Sequence, residues 1–87
     1  MLTQSHTIQN TTGFHARPAR HFVEMASTFP CDIRVRKGDK CVNGKSVLGM
    51  LTLGAKHLDT LTIEAEGVAA EEALARLGEL LGQIFRE

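Results

Sequence analysis

The run Gly13-Phe14-His15-Ala16-Arg17-Pro18-Ala19 constrains the fold more than any other stretch of the 87-residue chain. Pro18 has no amide hydrogen, so it suits a helix only in the first turn, where no intrahelical hydrogen bond is lost. Gly13 permits a turn just before it, and the two residues together predict a helix that begins beside His15. A helix start presents free amide groups and the positive end of the dipole, which favour an anion such as a phosphoryl group. Arg17 adds a charge-assisted fork, and the ring nitrogen of a neutral histidine is a competent nucleophile. Nucleophile, anion nest and cation therefore lie side by side in the sequence.

The rest of the chain alternates between two hydrophobic periods. Residues 2–8 form a weakly alternating strand with Leu2, Gln4, His6 and Ile8 on one side, and His6 reads as a part-buried strand residue. From Ala16 to Ser27 the period is helical: Ala19, Phe22, Val23 and Ala26 make an apolar stripe, leaving Ala16, Arg20, Glu24 and Ser27 on another face beside His15. Phe29-Pro30 ends that helix. Cys31, Ile33 and Val35 alternate with Asp32, Arg34 and Arg36 in a strand, Gly38-Asp39 centres a hairpin turn, and Lys40 to Val42 return.

Ser46 is placed to cap a short apolar helix that stops near Gly54. If Met50 and Leu53 face the core, Val47, Leu48 and Leu51 are left partly outside, as an apolar patch suited to a protein partner. The competing reading buries all five. Leu61, Ile63 and Ala65 define a further strand between Asp59 and Gly67. Ala73, Leu74, Leu77, Leu80, Leu81 and Ile84 define a last helix, with Glu71 and Glu72 in its first turn. Gly78 and Gly82 weaken that helix, and a close approach to the sheet would account for them. The element order β-α-β-β-α-β-α predicts an α+β fold, one four-stranded sheet with helices over one face. Asp32, Arg34, Arg36, Thr60, Thr62 and Glu64 mark its other, polar face.

Charge and motif spacing narrow the function classes. The formal net charge is zero, yet residues 1–57 hold 8 Lys or Arg against 3 Asp or Glu, and residues 58–87 hold 2 against 7. A basic face near His15 would speed encounter with an acidic partner. Arg34, Arg36, Lys37 and Lys40 lack interleaved aromatics, zinc spacing and a reader motif, so they read as a solvated strand face and not as a nucleic-acid site. Gly44-Lys45-Ser46 resembles the end of a P-loop, but five residues separate Gly38 from Gly44 where that motif needs four. No metal cluster, cofactor loop or acid-base pair marks a stand-alone enzyme. Apolar runs are too short to span a bilayer, and nothing resembles a signal segment, so a reduced, soluble, cytoplasmic protein without membrane insertion is expected. Cys31 and Cys41 both read as buried apolar filler.

Two motifs at matching spacing make the chain closely similar to the histidine-containing phosphocarrier (HPr) family of the bacterial phosphoenolpyruvate-dependent sugar phosphotransferase system. They are residues 13–19 and Asn43-Gly44-Lys45-Ser46-Val47-Leu48-Gly49-Met50-Leu51-Thr52-Leu53-Gly54, with a softer echo in Ala65-Glu66-Gly67 and Glu71-Glu72-Ala73-Leu74. The resemblance runs over essentially all of residues 1–87, as a single phosphocarrier domain. It implies an antiparallel open-faced β-sandwich, with three helices covering one face of the four-stranded sheet. It implies that His15 carries a phosphoryl group from enzyme I to the A component of a sugar-specific enzyme II, and that Arg17 steadies the phosphoryl oxygens. Ala16, Arg20, Glu24, Ser27, Val47, Leu48 and Leu51 match the face that both partners share. Ser46 matches the serine modified by a kinase/phosphorylase in many Gram-positive members, which adds that enzyme and a regulatory protein to the expected partners. Arg20, Glu24 and Phe14 depart from the usual residues at their positions. A carrier in a regulatory or nitrogen-related branch of the same system, and an interaction module that is never phosphorylated, are the alternatives. No cofactor is implied.

Overall fold

The computed structural model describes residues 1–9, 13–14 and 16–85. Its elements are β1 (Leu2–Thr7), α1 (Ala16–Ala26), β2 (Asp32–Lys37), β3 (Lys40–Asn43), α2 (Val47–Thr52), β4 (Thr60–Glu66) and α3 (Ala70–Phe85). The strands form one antiparallel sheet in the order β1-β4-β2-β3. The strand last in sequence thus lies between the first two, and the helices pack over one face to give the open-faced sandwich.

Alternation decides which side chains reach the helices. Ile33 and Val35 of β2 and Leu61, Ile63 and Ala65 of β4 are buried, and register places Val35 opposite Ile63 and Ile33 opposite Ala65. Onto this surface α1 lays Ala19, Phe22, Val23 and Ala26, α2 lays Met50, and α3 lays Leu74, Leu77 and Leu81. At roughly 1.5–3 kcal/mol for each large apolar side chain, this shared core is what holds three separate helices on one sheet.

Gln4 and His6 of β1 reach the same side and are half-buried. His6 Nε2 donates to Gln4 Oε1 at 2.7 Å, and burial lowers the imidazole pKa from its ordinary value of 6.5. A Cβ on Gly78 of α3 would meet the Gln4 side-chain amide and lie 3.3 Å from His6 Cε1, so α3 passes close to β1 there, although the flexible Gln4 side chain could move aside. Gly44 also marks a close approach. Its added Cβ would come within 2.7 Å of Ile33 Cγ2, so it serves strand packing and not a phosphate loop.

The outer face departs from expectation in two places. Glu64 is buried, although its strand position points away from the helices. Arg34 Nε and Arg36 Nε approach its two oxygens at 3.5 and 3.2 Å, and the two long side chains cover it. Cys41 is exposed, which corrects the reading of both cysteines as buried filler. It pairs with Arg36 across the β2–β3 ladder and shares that residue's outer face, whereas its neighbour Val42, opposite Val35, packs against the core. Cys31 is buried as expected, and both thiols are free.

Candidate functional site

The predicted helix start is where the structure places α1. Ala16 is its first residue, and Pro18 falls in the first turn and is buried. That position has no intrahelical amide bond to lose, so the proline is accommodated without a kink. His15 itself lies outside the described residues. On one side of it, Phe14 is buried and sets its ring edge-on to Phe22, with centroids 6.1 Å apart and an interplanar angle of 83°. On the other side Ala16 and Arg17 are exposed. Arg17 and Arg20 make no ion pair among the described residues.

Of the face expected to meet partners, Ala16, Arg20, Glu24, Ser27, Val47, Leu48 and Leu51 are all exposed. Leu48 is 72% exposed, while Met50 and Leu53, on the opposite side of the same short stretch, are 0% exposed. The periodicity therefore divides the segment as first read, and the reading that buries all five is overturned. Helices α1 and α2 pack against each other, so their solvent faces adjoin. The exposed apolar side chains of α2 and the exposed Arg17 and Arg20 of α1 thus belong to two helices in contact.

Ser46 holds α2 in place. It adopts extended angles, and its Oγ accepts the Gly49 amide at 3.0 Å while its carbonyl accepts the Met50 amide. This is an N-cap in full, and it matters for a six-residue helix that could not persist alone. Lys45 is anchored just before it, with Nζ donating to the Phe29 carbonyl at 2.7 Å.

One participant was missed from the sequence, the loop 54–59 between α2 and β4. Its Asp59 Oδ2 accepts the Lys56 amide at 2.8 Å and the Lys37 ammonium at 3.3 Å. The Lys56 amide first, with help from the Lys37 ammonium, holds the Asp59 carboxyl below its ordinary value of 3.8. The ionised form is favoured by folding, so this contribution is present above that ordinary value and is lost as pH falls through the lower folded one. Lys37 had looked like one more solvated strand cation. Nothing local in the sequence joins residues 37 and 59.

No helix among the described residues is long and apolar enough to cross a membrane. A four-stranded sheet with one open face, three helices on the other and an exposed α1–α2 surface define the class, a small open-faced α+β sandwich domain. The comparisons with known proteins give the family. A family profile described as the phosphorylation site of the HPr component of the phosphotransferase system matches residues 2–83. The phosphocarrier protein HPr of Neisseria meningitidis is 38% identical over 87 residues, covering 100% of this chain and 98% of the relative. That of Pseudomonas aeruginosa is 42% identical over 82 residues, covering 93% and 91%. The crystal structure of HPr-C-His from Thermoanaerobacter tengcongensis superposes with a TM-score of 0.93 at 41% identity, covering 100% and 98%. The chain belongs to the HPr family, the phosphocarriers of the phosphotransferase system.

Proposed function

We propose that His15 accepts a phosphoryl group from phosphorylated enzyme I and passes it to the A component of a sugar-specific enzyme II, with residues 1–87 acting as one cytoplasmic phosphocarrier domain. The observation that carries this reading is the family match to a phosphorylation site, spanning both the His15 segment and the exposed α1–α2 face. In the first transfer the lone pair of a His15 ring nitrogen attacks phosphorus. A phosphorus–nitrogen bond forms while the bond to the donor breaks, its electron pair leaving with the donor atom. The second transfer reverses the roles, with His15 as leaving group. Such a step needs positioning and stabilised oxygen charge more than covalent help from the protein. The first-turn amides of α1 and the Arg17 guanidinium supply that stabilisation.

Ala16, Arg20, Glu24 and Ser27 of the α1 face, with Val47, Leu48 and Leu51 of α2, form the docking surface in this reading. Apolar side chains at its centre and charges at its rim suit a partner that must bind, react and leave. Ser46 is the regulatory position. A phosphate there would bring nearly two negative charges to the edge of the apolar patch and slow transfer from an acidic partner.

Incubation with phosphoenolpyruvate, Mg²⁺ and enzyme I, followed by intact mass measurement, tests the carrier role. An acid-labile gain of one phosphoryl group, absent from His15→Ala, is the expected outcome. No gain with an active donor would overturn the reading. Equal transfer rates to unmodified and Ser46-phosphorylated protein would overturn the regulatory part alone.

A further inference from the structure

The residue that precedes His15 is held by a loop from the far side of the chain. The Phe14 amide donates to the Ala55 carbonyl at 3.0 Å. Gly13 has a φ of +71°, and a Cβ there would lie 3.0 Å from the Ala55 carbonyl oxygen and 3.1 Å from Lys56 Cα. Backbone therefore meets backbone with no room for a side chain between them. At the other end of the connection from β1, the Ile8 amide donates to the Asp59 carbonyl at 2.9 Å, and the Leu58 amide donates to the Ile8 carbonyl at 2.8 Å. Loop 54–59 thus grips the approach to α1 at both ends.

The loop is in turn closed on itself and tied to the sheet. Asp59 accepts the Lys56 amide and returns its own amide to the Lys56 carbonyl at 3.0 Å. Lys37, the last residue of β2, reaches across with one ammonium that donates to the Gly54 carbonyl at 3.1 Å and to Asp59 Oδ2 at 3.3 Å. One cation thereby ties the first residue of the loop to the last. Ala55 and Lys56, which touch the His15 approach, lie between those two anchors.

We infer that Lys37 and Asp59 are positioning residues for phosphoryl transfer at His15, acting through loop 54–59 and the Phe14 amide. The inference rests on His15 being the phosphoryl acceptor. In-line transfer is sensitive to small displacements of the attacking atom, and a misplacement of about 1 Å can cost as much as 100-fold in rate. A loop freed at either anchor would let the peptide ahead of His15 drift without altering the docking face.

The test uses the full chain and three variants, Lys37→Met, Asp59→Asn and Asp59→Ala. Asp59→Asn keeps an oxygen for the Lys56 amide and loses only the charge pairing with Lys37, so it separates the two anchors. Steady-state phosphorylation by enzyme I is measured beside hydrogen exchange at the Phe14 amide and thermal melting. Asp59→Ala is expected to lower kcat about 10-fold with KM unchanged and to speed Phe14 exchange, with Asp59→Asn and Lys37→Met between it and the wild type. Wild-type kcat in Asp59→Ala, a loss seen in KM alone, or slow transfer with unchanged Phe14 exchange would each overturn the positioning role while leaving the carrier reading intact. Phosphorylation of His15→Ala to the wild-type level would overturn the carrier reading, and the inference with it.

Discussion

On the outer face of the sheet, Arg34 and Arg36 share the carboxylate of Glu64, whereas Lys37, which alternates to the helix side at the end of β2, pairs with Asp59. On the helical face, Arg17 and Arg20 make no ion pair among the described residues, and Leu48 of the adjoining helix α2 is 72% exposed. The sheet face neutralises its cations internally, and it covers Glu64 so well that the carboxylate is nearly inaccessible. The helical face leaves both charge and apolar surface open to a partner. Two basic runs of similar appearance in the sequence therefore end in opposite electrostatic states, and only the cross-strand partners tell them apart. A cation already paired within the fold adds little to the field a partner meets.

The largest expected effect is on the open side. Leu48→Asp places a charge at the centre of the α2 patch and should reduce phosphorylation by enzyme I about 30- to 100-fold, the loss of a central contact worth about 2–3 kcal/mol. Because Leu48 packs against so little, the stability measured by urea unfolding should change by less than about 0.5 kcal/mol. A stability loss matching the loss of transfer would show that the patch belongs to the core and would break the comparison.

The corresponding substitution on the sheet is Glu64→Ala, with the effects reversed. Its removal leaves Arg34 and Arg36 without their shared partner, although both are about half exposed, with side-chain accessibility of 45%, and recover hydration. Solvent screening limits the loss to about 1–2 kcal/mol in urea unfolding. Transfer from enzyme I should stay within about twofold of wild type, since this face adjoins neither α1 nor α2. A large transfer defect in a folded variant would mean that the outer face also meets the donor.

Much of this was legible in the sequence, for reasons that differ by element. Strands β2 and β4 and helix α1 carry clean periods, so their buried residues could be named in advance. The division of residues 47–53 was only half legible, because Val47/Met50, Leu48/Leu51 and Met50/Leu53 all recur at helical spacing, and the choice of buried face needed the packing of α2. Cys41 was misplaced because β3 has four residues, too few to establish a period, and residue type alone favoured burial. Glu64 was assigned to the right face with the wrong exposure. Its cover comes from β2, a neighbour 28 residues away in sequence for Arg36, and register of that kind leaves no local mark. The clasp on loop 54–59 was invisible for the same reason. The Phe14 amide, the Ala55 carbonyl and Lys37 meet only when the sheet has formed.

A smaller effect tests how the open face is held. Ser46→Ala removes the acceptor of the Gly49 amide and should cost about 1 kcal/mol, seen as a lower urea midpoint. Helix α2 buries Met50 but little else, so its cap is a larger share of its support than a cap would be for α3. Amide exchange within residues 47–52 should rise before exchange in β2 and β4 does. Uniform acceleration across the sheet would instead show that α2 unfolds only with the whole molecule.

The smallest expected change in transfer comes from derivatising Cys41. Its thiol is exposed on the outer face of β3, while Cys31 is buried, so a neutral maleimide should add one equivalent rapidly and a second only on unfolding. Both thiols are unpaired, and no reductant is needed to expose the first. The adduct stands beside Arg36, which already bonds Glu64, and projects away from the helices. Phosphorylation by enzyme I should therefore proceed at the wild-type rate within error, as it does for a probe on a surface that meets no partner. Loss of transfer on labelling, with unchanged melting, would place a partner on the open sheet. It would also mean that pairing of charges within a face does not by itself mark that face as idle.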